Sequence, residues 1–481
     1  MWFLIGLVVG VGGALLTEYT LYHWLNRNQS QPMPLNVEIK RFFGINDVTQ
    51  IEVKDRSFTV YANPDVKLGL ERWLKLHNAT VRVVGVPPTD SIFNDQTLGG
   101  LLSPHGEQSL SSTSIDYQSF DIGEGEDIEC PRHALWFITV GTDKLVVLWT
   151  TSVTPGHGWS TKLRIGTGYI ASSPAQTLGE SLIQEIETTV QTGQTYRGKV
   201  LSLENDEGFS GRAGGLRVHQ IRKVARADVV LPESTVTLLE RNVIRFIDQR
   251  SQLSKLGMPV RKGLLFYGPP GTGKTHTIHY LLTAIRDHTT LLITAEQMGS
   301  LAEYISLARL LQPSIVIIED VDLIATQRDE STVCQQSLLN RLLNEMDGLR
   351  EDSAILFLLT TNRPEVLESA LAARPGRVDQ AVEIPLPDSA GREKLIGLYA
   401  CGAHIEPEVV AETVRQTEGV SASFIKELMR RALQFHLECR SESERPEILR
   451  NDIDQAIEEL LWSGGLLNRT LLGAGEYPCE E

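Results

Sequence analysis

Tyr267-Gly268-Pro269-Pro270-Gly271-Thr272-Gly273-Lys274-Thr275 is the stretch on which the reading of this chain turns. It follows Lys262-Gly263-Leu264-Leu265-Phe266-Tyr267, a short apolar run of the kind that forms a buried parallel strand. Thr277-Ile278 and Tyr280-Leu281-Leu282 come next, with helical spacing. Strand, glycine-rich turn and helix are the setting in which G-x-x-x-x-G-K-[ST] marks a phosphate-binding loop. The glycines leave room for a phosphate to approach the backbone, and the loop N–H groups with the helix N-terminus form an anion site. Lys274 reaches the β- and γ-phosphates in such a loop, and the Thr275 hydroxyl is a natural Mg²⁺ ligand. A glycine-rich turn that merely contains a lysine is the competing reading, and the residues downstream displace it.

The 481-residue chain has room for two or three domains. Its composition, 41% hydrophobic and 22% charged, is that of a globular protein. A formal net charge of −16 disfavours a role in gripping nucleic acid, so no nucleic-acid partner is expected. Cys130, Cys334, Cys401, Cys439 and Cys479 are scattered and odd in number, which argues against a disulfide framework or a zinc cluster.

Met1 to Leu16 carries no charge. With Tyr19, Tyr22 and Trp24 to carry it into the interface, residues 1–24 read as a single uncleaved transmembrane anchor. A cleaved signal peptide lacks its basic n-region and cleavage site here. Arg27, Lys40 and Arg41 follow the run and no Lys or Arg precedes it, which places the bulk of the chain on the cytoplasmic side. Gly6, Gly10 and Ala14 fall on a small-residue face that suits packing between anchors, and plain composition accounts for them equally well.

Residues 35–225 read as a mixed α/β middle domain. Gln50-Ile51-Glu52-Val53 and Phe58-Thr59-Val60-Tyr61 alternate around Lys54-Asp55-Arg56-Ser57, which predicts a hairpin. Asn63-Pro64 starts a helix bearing Val66, Leu70, Trp73 and Leu74. Ser103 to Glu129 reads as a long exposed loop, Leu135 to Thr150 as a hairpin, Thr177 to Thr192 as a helix, and Tyr196 to Leu203 and Leu216 to Ile221 as strands. No chemical motif is found there. Gly166-Thr167-Gly168 reads as a glycine-rich bend in a strand. A new domain starts near Asp228.

Ser314-Ile315-Val316-Ile317-Ile318 predicts a second buried strand, ending on Glu319-Asp320-Val321-Asp322. Acids at the C-terminal end of a parallel strand sit on the rim where doubly wound sheets bind ligands. One such carboxylate can hold the Mg²⁺ shell and the next can orient the attacking water. A third strand, Ala354 to Leu359, ends on Thr360-Thr361-Asn362 and puts an amide on the same rim. Arg374-Pro375-Gly376-Arg377 then supplies two arginines beside a turn, a pattern suited to transition-state charge delivered across a subunit boundary.

With its Leu256-Gly257-Met258-Pro259 lead-in, its phosphate loop, its strand-end acids, the helix from Leu338 to Gly348, Thr-Thr-Asn and Arg-Pro-Gly-Arg, the segment from Asp228 to Gly464 resembles an AAA-family ATPase module. The resemblance implies an α/β P-loop NTPase fold: a doubly wound parallel sheet over 228–388, an all-α lid over 389–464 and a C-terminal tail over 465–481. It implies ATP and Mg²⁺ as cofactors and a homo-oligomeric ring, a hexamer, with nucleotide at the subunit interfaces. It makes Gly268 to Thr275 the nucleotide loop, Thr275 and Glu319 the Mg²⁺ side, and Asp320 the acid that activates water. Asn362 becomes the sensor, and Arg374 and Arg377 act on the neighbouring subunit's ATP. In the lid, Gly419-Val420-Ser421 caps a helix with Phe424, Ile425, Leu428, Met429 and Ala432, and Ile453, Ile457, Leu460 and Leu461 line another.

This chain departs from the family pattern in three places. The family usually has Asp then Glu where this chain has Glu319 then Asp320, an order similar to that of the mitochondrial membrane AAA translocases. Thr294 to Pro313 is short and lacks the aromatic-hydrophobic-Gly signature that grips an unfolded chain, with Met298-Gly299 as the sole candidate. Ser423-Phe424 stands where Ala-Asp is usual. The layout implies an ATP-driven machine at a membrane that remodels or translocates a protein substrate, with the middle domain choosing substrate or adaptor. A nucleotide-dependent scaffold with slow hydrolysis is the alternative. A membrane AAA metalloprotease needs H-E-x-x-H, and none of the eleven histidines stands in that motif.

Overall fold

The computed structural model describes residues 33–460 except 89–95, 104–109, 124, 157, 204–214, 327–340, 366, 368–377 and 440–445. The chain folds as two units, one made of residues up to Asp121 with Glu126–Gly193 and Phe209–Gly215, the other of the remainder. The apolar run of residues 1–24 lies outside the described residues, and among the described residues no helix is long and apolar enough to cross a membrane.

Apolar side chains dominate residues 134–149, so those strands need cover on both faces. The first unit provides it. Helices α1 (Leu35–Phe43), α2 (Asn63–Leu76), α3 (Leu98–Leu102) and α4 (Ala175–Thr192) accompany strands β1 (Ile51–Thr59), β2 (Thr80–Gly85), β5 (Ala134–Val140), β6 (Asp143–Gly156) and β7 (Gly158–Ile170). A separate two-stranded ribbon consists of β3 (Tyr117–Gly123) and β4 (Glu126–Pro131). The main sheet is antiparallel, in the order β1-β7-β6-β5-β2. Leu35, Ile39 and Phe43 of α1 and Leu98 and Leu102 of α3 pack with Phe137, Val146 and Leu148 of the sheet. α2 and α4 lie against each other, joined by the Trp73 indole donating to Ser181 Oγ at 2.9 Å. Gly69 makes their close approach possible, because a Cβ there would meet the Ile186 Cα at 3.1 Å.

Two readings of this unit are corrected. Residues 51–59 are one continuous strand paired along its whole length with β7, not a hairpin. The charged run that suggested a turn is held by α4: Lys54 bonds Glu180 at 2.6 Å and Arg56 bonds Glu187 at 2.9 Å. The span read as a loop from Ser103 to Glu129 contains β3 and most of β4.

The second unit is built on a seven-stranded sheet in the order β14-β10-β13-β12-β11-β8-β9. Its strands are β8 (Val200–Leu203), β9 (Leu216–His219), β10 (Lys262–Tyr267), β11 (Thr289–Ile293), β12 (Ser314–Ile318), β13 (Ile355–Thr361) and β14 (Gln380–Glu383). All run parallel except β9, which returns antiparallel to β8. The helices are α5 (Glu233–Glu240), which runs through a π turn into α6 (Phe246–Lys255), then α7 (Lys274–Ala284), α8 (Leu301–Leu310) and α9 (Val321–Thr326). Every residue of β12 and β13 is buried, as expected of parallel strands covered on both faces. Val236, Leu239 and Val243 lie on one side of the α5 helix, and the latter two pack with Leu264, Phe266, Ile317 and Leu358 in the core. An all-helical part follows: α10 (Ser389–Tyr399), α11 (Pro407–Gln416), α12 (Ala422–Cys439) and α13 (Arg450–Glu458), with a short ladder of β15 (His404–Ile405) and β16 (Glu447–Ile448). Its core is Leu395, Phe424, Ile425, Leu428, Met429 and Ile453.

The strands at 200–203 and 216–219, read in sequence as part of the middle domain, extend this second sheet beyond β11. A closed set of hydrogen bonds secures β8. The Leu203 N–H donates to Tyr304 Oη at 2.8 Å, Tyr304 Oη donates to Gln297 Oε1 at 3.0 Å, and Gln297 Nε2 donates to the Leu203 carbonyl at 2.7 Å. Tyr304 is fully buried, and burial pushes its phenol well above the usual tyrosine range. Tyr304→Phe therefore leaves the Leu203 N–H without its acceptor in a dry environment, at a cost of about 1–3 kcal/mol. Faster native-state hydrogen exchange at Leu203 is the expected result, and unchanged protection would show that β8 is held by its ladder alone.

Candidate nucleotide-binding site

The phosphate loop leaves β10 and turns into α7 through backbone angles that L side chains rarely adopt. Gly271 has φ +74°, and a Cβ on it would collide with the Ser423 hydroxyl and sit 2.9 Å from that of Ser421. Gly268, with φ +150°, lies so close to the Ile384 carbonyl that a Cβ would clash with backbone. Pro269, Pro270, Thr272 and Gly273 complete the turn, which Thr272 Oγ1 braces by donating to the Pro269 carbonyl at 2.9 Å. Lys274 opens α7 and is 7% exposed. Its Nζ donates to the carbonyls of Gly268 at 2.8 Å and Pro269 at 3.0 Å, folded over the cradle it helps to form. Burial lowers its pKa, and the charges of Asp320 and Asp322 oppose that shift.

The acids after β12 point in different directions. Glu319 Oε1 accepts from Thr275 Oγ1 at 2.9 Å, so the two side chains expected on the Mg²⁺ side meet. Asp320 takes φ +47°, a left-handed conformation that non-glycine residues adopt only when held there. The holding groups come from β13: Asp320 N–H donates to Thr360 Oγ1 at 3.0 Å, and Asn362 Nδ2 donates to Asp320 Oδ1 at 3.0 Å. Asp322 Oδ1 accepts from Thr361 Oγ1 at 2.8 Å and from the Asn362 N–H at 3.1 Å. A hydroxyl beside a carboxylate offers hard oxygen donors of the kind Mg²⁺ takes. The glycine cradle next to a buried ammonium fits a nucleotide's phosphates. The residues present therefore fit both groups.

The helical part closes over the loop. Ser423 N–H donates to the Gly271 carbonyl at 3.0 Å, and Ser421 Oγ and Ser423 Oγ lie 2.9 Å apart. Ser421 also caps α12 by accepting from the Phe424 N–H at 3.2 Å. Ser423, one of the two residues that depart from the usual Ala-Asp, is thus a packing partner of the phosphate loop.

Of the sequence-derived site residues, the structure gathers Gly268 to Thr275, Glu319, Asp320 and Asn362 on one rim. Arg374 and Arg377 lie outside the described residues. Met298, the candidate for a substrate-gripping loop, sits in a single 3₁₀ turn (Ala295–Ser300) and is 1% exposed. Sequence reasoning placed Thr360, Thr361 and Asp322 at the strand ends without giving them a role in the site, with Asp322 as the acid to turn to if Asp320 is not the base. Their signal was present in the polar ends of two otherwise apolar strands.

Residues 264–386 match the family described as the ATPase family associated with various cellular activities (AAA). The chain is 29% identical over 259 residues to the ATP-dependent zinc metalloprotease FtsH 2 of Symbiobacterium thermophilum, covering 50% of this chain and 42% of that protein. It is 27% identical over 338 residues to the proteasome-activating nucleotidase of Methanothermobacter thermautotrophicus, covering 66% of this chain and 79% of the relative. The 26S proteasome regulatory subunit 10B of Dictyostelium discoideum is 27% identical over 264 residues, 52% of this chain and 61% of that subunit. The chain thus spans less than half the length of the FtsH relative.

Gly271→Ala puts a methyl group against the Ser423 hydroxyl at a backbone angle unsuited to alanine, so either the loop or α12 must move. Titration with a fluorescent ATP analogue should show affinity falling by at least the factor of about 10 that 1.4 kcal/mol represents. Wild-type affinity in this variant would mean that the contact between loop and lid is not maintained when nucleotide binds.

Proposed function

We propose, from the premise that this chain belongs to the AAA family of ATPases and takes ATP with Mg²⁺ as its cofactors, that it is a ring-forming machine coupling ATP hydrolysis to the remodelling or translocation of a protein substrate at a membrane. The observation that carries the catalytic part is the 3.0 Å bond from Asn362 to Asp320, beside the 2.9 Å bond from Thr275 to Glu319. These bonds support separate tasks for the two adjacent acids despite their inverted order.

In this reading the loop N–H groups of Gly268 to Thr275 and the Lys274 ammonium hold the β- and γ-phosphates. Thr275 and Glu319 would hold Mg²⁺, which would supply charge neutralisation for the phosphates. Asp320 accepts the proton of the attacking water, and the Asn362 amide fixes the carboxylate that accepts it. Arg374 and Arg377 act on ATP held by the neighbouring subunit, which makes the hexamer part of the catalytic unit. Residues 35–225 choose the substrate or adaptor, and residues 1–24 hold the assembly in the membrane with the ATPase on the cytoplasmic side. Burial of Met298 favours a substrate contact made elsewhere than at the 294–300 turn.

Asp320→Asn keeps the shape of the side chain and removes the base, so it should bind ATP and fail to hydrolyse it. Arg374→Ala should likewise lose turnover on the order of 10³-fold. If the arginine acts in trans, mixing the two variants restores activity at interfaces that pair intact halves. A mixture no more active than its parents would argue against sharing between subunits.

Deletion of Met1 to Asn26 should leave a nucleotide-binding protein that no longer fractionates with membranes. Recovery of the intact chain from a detergent-free supernatant would remove the anchor from this reading.

A further inference from the structure

We infer that Asp322 is a positioning residue for hydrolysis: it grips the end of β13 so that the Asn362 amide is aimed at Asp320. The inference rests on the reading of Asp320 as the proton acceptor and adds the residue that sets its geometry.

Asp322 lies in the first turn of α9, two residues beyond Asp320, and is 4% exposed. A carboxylate so buried is tolerated only where donors converge on it. On Oδ1 the Thr361 hydroxyl meets it at 2.8 Å and the Asn362 N–H at 3.1 Å. The direction of the hydroxyl bond follows from its other partner. The Arg363 N–H can only donate, and it donates to Thr361 Oγ1 at 2.9 Å. The hydroxyl's single proton is therefore committed to Asp322. Hydrogen bonds to an ionised acceptor are shorter and stronger than neutral ones, so this junction is firm. Its product is a fixed Asn362 backbone. From that backbone the Asn362 side chain reaches Asp320 Oδ1 at 3.0 Å, and because a carboxylate only accepts, the amide nitrogen must face it.

The same strand end acts twice on Asp320, since Thr360 Oγ1 accepts the Asp320 N–H. Thr360, Thr361 and Asn362 are consecutive, and Asp320 and Asp322 flank a single residue. The two segments interlock like teeth, Thr360 and Asn362 with Asp320, and Thr361 with Asp322. Loss of Asp322 frees the Asn362 backbone and keeps the bond between Thr275 and Glu319, and the negative charge it removes from beside Lys274 is one that opposes an anionic nucleotide rather than holding it. The effect therefore belongs in the chemical step rather than in nucleotide affinity.

The test compares Asp322→Ala, Thr361→Val and Asp320→Asn, with the double variant D320N/D322A, as full-length rings. ATP turnover at saturation and the affinity for a fluorescent ATP analogue are measured alongside thermal unfolding. Asp322→Ala should lower kcat on the order of 10²-fold, the scale of misplacing a reacting group by about 1 Å, with analogue affinity close to wild type. Thr361→Val should shift kcat in the same direction. The double variant should be no slower than Asp320→Asn alone, because a residue that acts through Asp320 has nothing left to act on. A merely structural Asp322 would lower the unfolding temperature and multiply with Asp320→Asn. If Asp322→Ala does not fold, Thr361→Val decides: slowed turnover supports the inference, and full-rate turnover overturns it. Normal turnover in Asp320→Asn would overturn the assignment of Asp320, and this inference with it. A slow Asp320→Asn beside full-rate Asp322→Ala and Thr361→Val would overturn this inference alone.

Discussion

A single row of backbone pairing sets the catalytic end of the second unit. Leu265 stands opposite Leu359, Leu359 opposite Ile318, and Ile318 opposite Ile293, across four parallel strands. With that row in place, the phosphate loop, Glu319-Asp320 and Thr360-Thr361-Asn362 must all emerge on the same rim. Each of these strands is almost wholly apolar, so the register is held by packing from helices on both faces. A slip of one residue would turn every side chain of a strand to the opposite face. The chemistry at the rim is therefore as well specified as the core beneath it.

Much of this was legible because apolar runs that end abruptly on polar residues are a strong signal. Leu264 to Tyr267, Ser314 to Ile318 and Ile355 to Thr361 each announced both a strand and the residues it delivers. What stayed hidden depends on partners far away in the chain. Residues 51–59 looked like a hairpin because a charged run usually marks a turn, and only the acids of α4 make Lys54 and Arg56 comfortable inside a strand. The addition of β8 and β9 to the second sheet was hidden for a similar reason. Their short apolar patterns fit any sheet edge, and the choice is made by Tyr304 and Gln297 about a hundred residues later in sequence. The left-handed backbone of Asp320 had no sequence signal, because it is imposed by Thr360 and Asn362.

The segment that follows β11 is a short 3₁₀ element pinned to β8. Met298 faces the core, and Gln297 ties the turn to Leu203. That turn follows β11, whose neighbour β12 ends on the two acids. At the other side of the phosphate loop, α12 rests on Gly271 through Ser423. The helical part accordingly meets the loop by direct packing of backbone and hydroxyl groups.

The left-handed conformation of Asp320 also bears on how this sequence can vary. Short side chains that bond locally tolerate such angles, and longer ones lose that advantage. Exchanging Glu319 and Asp320 to restore the usual family order would place the longer residue at the strained position and the shorter one opposite Thr275. Neither single step of that exchange keeps both contacts. Asp320, Thr360 and Asn362 are thus one interlocked set, in which the length of the acid and the backbone angle that carries it go together.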